Sequence, residues 1–456
     1  MAGPRLVTSY SFLPPPPPPP NPADPCGHGT HVAGIIAGNG FRSSHPNSFR
    51  HFYGIAPQAN IVSVRVLDQN GTTMVSTVVA ALQWVVAYNA GIASGAKGTA
   101  NLSPVRVINL SLGHPVGESY TTDPLCQAVE AAYNAGIMVV CAAGNNGRAS
   151  TVNDPSQGNE GWGTAYGSIQ SPGNDPYVLT VGATKSTDGQ RADDRIATYS
   201  SRGPSRLDLV MKPDIIAPGN KVISLNSNNS TLDNYAGGSN DIPQSLYRTV
   251  PNPTQVSNDY FRLSGTSMAA PVVAGAAALL LQADPTLTPD TLKARLMLSA
   301  DKWADPQGGL DPLTYGAGYL NIPAALACTA VATLPALSPT LAQNADGSIS
   351  LVMNRIAWGT TATDGSRIAW GTGLWGTGVT DLRIAWGTSV VSAPGTAADR
   401  IAWGTNVLTA SRIAWGTDAI SSSRIAWGTS AVWADRIAWG TSTSAADLTW
   451  TALLGE

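Results

Sequence analysis

The segment IMVVCAAGNNG, Ile137–Gly147, is the stretch from which the fold can be read. Ile137–Ala143 is an unbroken apolar run of strand length, and the Gly-Asn-Asn-Gly that follows is turn chemistry. Ile137–Ala143 reads as a strand. Upstream, Leu125–Asn134 has helical spacing and stops at Gly136, and Val105–Leu110 (VRVINL) is another β-rich run. Further back, Val75–Asn89 has helical periodicity with Gly91 as its expected C-terminal stop, and Ile61–Leu67 (IVSVRVL) precedes it. Strand, helix, strand in this rhythm predicts right-handed crossovers and an α/β domain with a parallel sheet. Functional groups are then expected beyond the carboxyl ends of the strands.

The chain has 456 residues, 43% of them hydrophobic and 12% charged, with a formal net charge of -3. That length allows two or three domains and at least one large core. No basic run is present, so a nucleic-acid partner is not expected. Four cysteines (Cys26, Cys126, Cys141, Cys328) show no CxxC spacing, which argues against a zinc site and leaves buried thiols and one or two disulfides both open. The most apolar run, Met268–Leu281, is shorter than a bilayer crossing, so no membrane span is expected. The first residues, MAGPRLVTSYSFLPPPPPPP, do not read as a signal peptide.

Three regions follow from composition. Residues 1–27 hold a strand-like segment, Arg5–Phe12, and a stiff run of prolines, Pro14–Pro20. Residues 28–327 carry the strand–helix rhythm. Residues 328–456 form a tail in which every arginine begins the hexamer RIAWGT, at Arg355, Arg367, Arg383, Arg400, Arg412, Arg424 and Arg436. Short stacked strands with arginine against tryptophan are one reading of the tail. A loosely ordered extension is the other, and uneven spacing in the first half favours it.

Three short motifs carry chemistry. Gly27-His28-Gly29-Thr30-His31 opens an apolar helix. Ala142-Ala143-Gly144-Asn145-Asn146-Gly147 follows a strand, and Gly265-Thr266-Ser267-Met268-Ala269-Ala270-Pro271 opens an alanine-rich helix. Ser267 is expected just before that helix, with Pro271 in its first turn, where a missing N–H costs nothing. Helix N-terminal N–H groups favour developing negative charge. Nucleophile, base and oxyanion donor are thus present in type as Ser267, His28 and Asn145. His31 is expected to pack inside its helix, Cys26 to be structural, and Asp214 to be a turn residue.

These motifs resemble those of the subtilisin-like serine peptidases, the subtilases. Further segments resemble family landmarks: Asn109-Leu110-Ser111-Leu112-Gly113, Tyr199–Pro204, Lys212–Gly219 and Tyr315–Asn321. The resemblance covers roughly residues 5–327 and implies a three-layer α/β fold, a central parallel sheet flanked by helices. It implies a serine endopeptidase in which Ser267 attacks, His28 moves the proton, and Asn145 with the Ser267 N–H holds the oxyanion. It also implies that Ser111, Leu112, Gly113, Ala142, Ala143 and Gly144 flank an extended polypeptide substrate. No cofactor is required; structural calcium is a family expectation with no site identified. A monomer working outside the cell or at its surface is expected.

One family feature has no counterpart. The resemblance calls for an Asp-Thr/Ser-Gly stretch well before the histidine motif, whereas the sole acid before His28 is Asp24. Asp24 resembles the second, non-catalytic acid that many relatives carry there. Arg5–Phe12 resembles the strand that follows the triad aspartate. The expectation is therefore a chain beginning just downstream of that strand, with turnover lowered about ten-thousand-fold. The alternative function is a catalytically dead remnant acting as a binding or surface protein.

Overall fold

The computed structural model describes residues 6–13, 24–95, 103–149, 163–186, 191–234, 240–252, 254–301, 311–343 and 349–352, with 385–386, 402–403 and 449–452. In chain order the elements are β1 (Leu6–Ser11), α1 (His28–Ala37), β2 (Ile61–Arg65), β3 (Thr72–Met74), α2 (Val75–Ala93), β4 (Val107–Leu110), β5 (Leu112–Gly113) and α3 (Pro124–Asn134). They continue with β6 (Met138–Ala142), β7 (Leu179–Lys185), β8 (Arg195–Ile196), β9 (Ile215–Pro218), β10 (Val222–Leu225), α4 (Thr231–Asn234), β11 (Asp241–Pro243), β12 (Val256–Leu263), α5 (Thr266–Ala283) and α6 (Pro289–Leu298).

The apolar run Ile137–Ala143 contains a strand, β6, as its sequence predicts, and the structure covers it on both faces. All five residues of β6 are buried, and they alternate between two cores. Met138, Val140 and Ala142 join the core shared with α1 and α5. Val139 and Cys141 join the core formed with α2 and α3. Successive side chains of a strand point to opposite faces, so a sheet between two helical layers needs apolar residues at every position. The three layers are therefore α1, α5 and α6 on one face, the sheet, and α2 with α3 on the other.

The parallel strands form two pieces. β4, β6, β7 and β9 pair in parallel, and β8 adds to β7 in the antiparallel sense. β1 pairs in parallel with β2 as a separate ribbon. β2 and β4 are not paired with each other among the described residues. Their burial reflects this: Ile61–Arg65 are all half-buried, as are Val107–Asn109. An edge strand lacks the neighbour whose side chains would complete its cover. A third sheet, β10–β12–β11, is antiparallel, and β10 lies against α1.

Helix limits follow local chemistry with one exception. The Asp123 side chain accepts from the Leu125 N–H, Pro124 fills the first helical position, and Gly136 in the left-handed region (φ 79) follows the last turn of α3. Gly91, by contrast, does not stop α2. The helix runs through it to Ala93, and the left-handed residue is Gly95 (φ 67). An interior glycine costs only about 1 kcal/mol and does not break the hydrogen-bond ladder. α2 and α5 are each long and apolar enough to cross a membrane by length and composition. α5 is the largely buried core helix against the sheet, while α2 packs on α3.

The four cysteines are free thiols, and Cys26, Cys126 and Cys141 are buried. Burial raises each of these three thiols above its usual value, which fits the structural reading of Cys26. Most of the RIAWGT repeats lie outside the described residues. Two of them, beginning at Arg383 and Arg400, pair in parallel at equivalent positions, Ala385–Trp386 on Ala402–Trp403.

Candidate active site

Ser267 lies inside the first turn of α5, which begins at Thr266. Pro271 is consequently not a first-turn proline, as the sequence suggests, but stands within the helix. The consequence is local and specific. A proline has no N–H to give to the carbonyl four residues back, and that carbonyl belongs to Ser267. The Ser267 C=O is taken instead by the Ser111 hydroxyl, which donates to it at 2.8 Å. In return the Ser267 hydroxyl donates to the Ser111 carbonyl at 3.3 Å. Asn109 Nδ2 donates to Ser111 Oγ at 2.9 Å. The end of β4 is thereby tied to the head of α5.

Asn145 joins the same assembly from the turn after β6. Its Oδ1 accepts from the Thr266 N–H at 2.9 Å and from the Thr266 hydroxyl at 3.0 Å. Because a backbone N–H can only donate, this fixes which end of the amide faces Thr266. The Gly144 N–H donates in turn to Thr266 Oγ1 at 3.1 Å. Asn145 Nδ2 is then left buried with no hydrogen-bond partner among the described residues. A buried donor without an acceptor costs on the order of 1–3 kcal/mol, so such a group is expected to have a function. Gly144 sits in the left-handed region (φ 109), and a Cβ there would meet Ser201 Oγ at 2.8 Å and Gln170 Cγ at 2.9 Å. The neighbouring Ala142 and Ala143 are buried, and the Ala143 N–H donates to the Val181 carbonyl.

His28 opens α1, and α1 packs against α5. Gly27 before it is left-handed (φ 92), and a Cβ there would lie 2.4 Å from Ser230 Oγ. His28 Nε2 is buried without a hydrogen-bond partner among the described residues. Asp24 does not orient the ring. Its Oδ1 accepts from the Gly27 N–H at 2.9 Å and its Oδ2 from the Thr30 N–H at 2.7 Å, so it caps α1 from outside the helix. Among the described residues, no carboxylate is hydrogen-bonded to the His28 imidazole. His31 packs inward as expected: Nε2 meets the Val222 carbonyl at 3.1 Å, and the ring lies edge-on to Phe261.

Burial lowers His28 to about 4, only partly opposed by the charge of Asp24. Burial, reinforced by His28, lowers His31 to about 3. Both rings are therefore neutral near pH 7. Below the usual 6.5, the unfolded chain takes up protons that the folded chain refuses, so stability falls with pH from there to about 4. For His28 alone the full effect is about 3 kcal/mol. Urea unfolding midpoints are expected to drop between pH 6.5 and 4.5. A level midpoint across that window would contradict the burial argument.

Thr266 and Asn109 lie within the quoted segments, but the sequence gives them no role; the structure bonds Thr266 to Asn145 and Asn109 to Ser111. Asp214 is a correction. It is not a turn residue but a buried carboxylate paired with Lys212 at 2.7 Å. No group of three His, Cys, Asp or Glu side chains able to hold a metal exists among the described residues.

The model of the Subtilase family, Peptidase_S8, matches residues 12–318 of the chain. The chain belongs to the subtilases. This subtilase is 37% identical over 303 residues to serine protease AprX of Bacillus subtilis (strain 168), a match covering 66% of the chain and 58% of that relative. It is 32% identical over 299 residues to subtilisin DY of Bacillus licheniformis, covering 66% of the chain and 77% of the relative. Among solved structures it is similar to a cold-adapted subtilisin-like serine proteinase at 28% identity and a TM-score of 0.43, covering 70% of this chain and 81% of the other. The subtilase thus spans less than two thirds of the length of AprX.

Proposed function

We propose that this subtilase is a serine endopeptidase that hydrolyses polypeptides through an acyl-enzyme on Ser267. The carrying observation is the unpartnered Asn145 Nδ2, held by Thr266 next to the serine. In the proposed reaction Ser267 Oγ bonds to the scissile carbonyl carbon while its proton passes to His28 Nε2. The carbonyl oxygen takes up the negative charge and accepts from Asn145 Nδ2 and the Ser267 N–H. His28 then gives the proton to the leaving amine and the C–N bond breaks. Water repeats the sequence in reverse roles and frees the serine. Proton transfer by His28 needs its neutral form, which burial favours down to about pH 4. No cofactor takes part in these steps.

Ser111–Gly113 and Ala142–Gly144 are proposed as the walls that hold the substrate, with a monomer acting outside the cell or at its surface. A second reading has its own support. With no carboxylate hydrogen-bonded to the His28 ring among the described residues, its tautomer is not fixed by one and its imidazolium has only the more remote charge of Asp24, which suits a non-catalytic, polypeptide-binding protein. A fluorophosphonate probe separates the two. A single adduct in the intact mass, absent from the Ser267→Ala variant, is the expected result. An unmodified chain after prolonged incubation would favour the binding protein.

A further inference from the structure

The tail contains one segment that departs from its repeat. Leu448-Thr449-Trp450-Thr451-Ala452-Leu453-Leu454 follows the last RIAWGT and has neither its arginine nor its glycine. Seven consecutive residues are uncharged and mostly apolar or β-branched, which suits an extended strand.

Thr449–Ala452 is a strand, and it lies far from the rest of the tail's sequence logic. It is the middle strand of a three-stranded antiparallel sheet, flanked by β3 and β5. On one side Thr449, Trp450 and Thr451 stand opposite Met74, Thr73 and Thr72. On the other, Thr451 and Ala452 stand opposite Gly113 and Leu112. β3 and β5 are not paired with each other among the described residues; each offers an edge to the same slot. Going from Thr451 to Ala452, the partner changes from Gly113 to Leu112, so the strand heads toward Ser111. Ser111 is the residue bonded to Ser267 in both directions. Thr73, Leu112 and Ser111 are buried, as the floor of a filled cleft would be.

We infer that Thr449–Ala452 is an intramolecular occupant of the polypeptide cleft between β3 and β5, a substrate-like strand that competes with external polypeptides for the approach to Ser267. The inference rests on the peptidase reading only in taking that cleft as the polypeptide site. Pairing of this kind is driven by main-chain hydrogen bonds, which any extended chain can supply. Tethering raises the local concentration of the segment, so external chains must displace it.

Thr451 pairs with both flanking strands, which makes it the position to break. Proline there removes an N–H from a central strand. In a Ser267→Ala background, Thr451→Pro is expected to speed amide exchange at Thr72–Met74 and Leu112–Gly113 by about tenfold or more, with β6 unchanged. A fluorescein-labelled peptide of residues 445–456 is expected to bind that variant at least about tenfold more tightly than it binds the same chain without the proline. Ala452→Pro, placed opposite Leu112, should act in the same way. Equal exchange and equal peptide affinity with and without the prolines would overturn the inference. Neither readout needs turnover. Failure of the fluorophosphonate adduct in both the intact chain and the Thr451→Pro chain would remove the peptidase reading and leave the exchange result standing.

Discussion

Replacing Asp214 with alanine is expected to destabilise the domain by about 3–5 kcal/mol, the usual result of removing one partner from a buried ion pair. Asp214 stands immediately before β9 and is almost fully buried, as are Lys212 and Lys293. Its Oδ2 accepts from Lys212 Nζ at 2.7 Å and from the Thr180 N–H at 2.7 Å. Its Oδ1 accepts from the Ser338 hydroxyl and faces Lys293 Nζ at 3.6 Å. Burial alone would raise this carboxyl, but the two ammonium groups and the hydrogen bonds outweigh it and hold it below the usual range. Lys293 donates to the Pro176 and Val178 carbonyls at 2.8 Å each and to Ser338 Oγ at 2.9 Å. Burial lowers Lys293 to about 7, despite the charge of Asp214.

Without the carboxylate, Lys212 keeps the Val178 carbonyl at 3.0 Å but has no counter-charge in a dry site. Lys293 can escape by losing its proton near neutral pH, so the cost concentrates on Lys212. Since whole domains are stable by only about 5–15 kcal/mol, the variant should melt at a much lower temperature or fail to accumulate. Asp214→Asn keeps the shape and the acceptor oxygen and should be milder. Thermal unfolding followed by circular dichroism measures both. A loss under about 1 kcal/mol for Asp214→Ala would mean that the lysines find other partners, contrary to the burial described.

The second large effect is catalytic, and its size is informative. In a complete triad, loss of the serine lowers turnover about 10⁶-fold and loss of the aspartate about 10⁴-fold, because members of the unit fail together rather than additively. His28 has no carboxylate bonded to it among the described residues. The intact chain should therefore start about 10⁴ below a full triad, and Ser267→Ala should cost only about a further 10² in kcat on a fluorogenic peptide. Asn145→Ala removes one oxyanion donor and should cost about 10²–10³ in its own right. A serine effect near 10⁶ would mean that a carboxylate does serve His28, and no effect at all would mean that no acyl-enzyme forms.

Much of this site is legible in the sequence. The apolar run before Asn145 is a strand, as β6 shows. The inward packing of His31 follows from its place three residues after His28 in an apolar helix. Other residues mislead when judged by their immediate neighbours. Gly91 has the look of a stop, yet a helix whose face is buried against α3 continues through one half-buried glycine. Pro271 has the look of a first-turn residue, yet its role is to leave the Ser267 carbonyl free for Ser111. Asp214 sits in turn-like Lys-Pro-Asp chemistry, and its second ammonium comes from a helix far along the chain.

The resemblance of three motifs to those of the subtilases supplied the family and the candidates His28, Asn145 and Ser267, and residue type and spacing alone determined the α/β class and the strand–helix order. Those features depend on periodicity and turn chemistry, which act over a few residues. Only the tertiary structure decided which end of Asn145 is bare, that Asp24 caps a helix rather than orienting His28, that Asp214 neutralises buried lysines, and that Thr449–Ala452 enters the cleft. Each of these is a choice of hydrogen-bond or charge partner, and partners separated by many residues in sequence meet only when folding removes both from water.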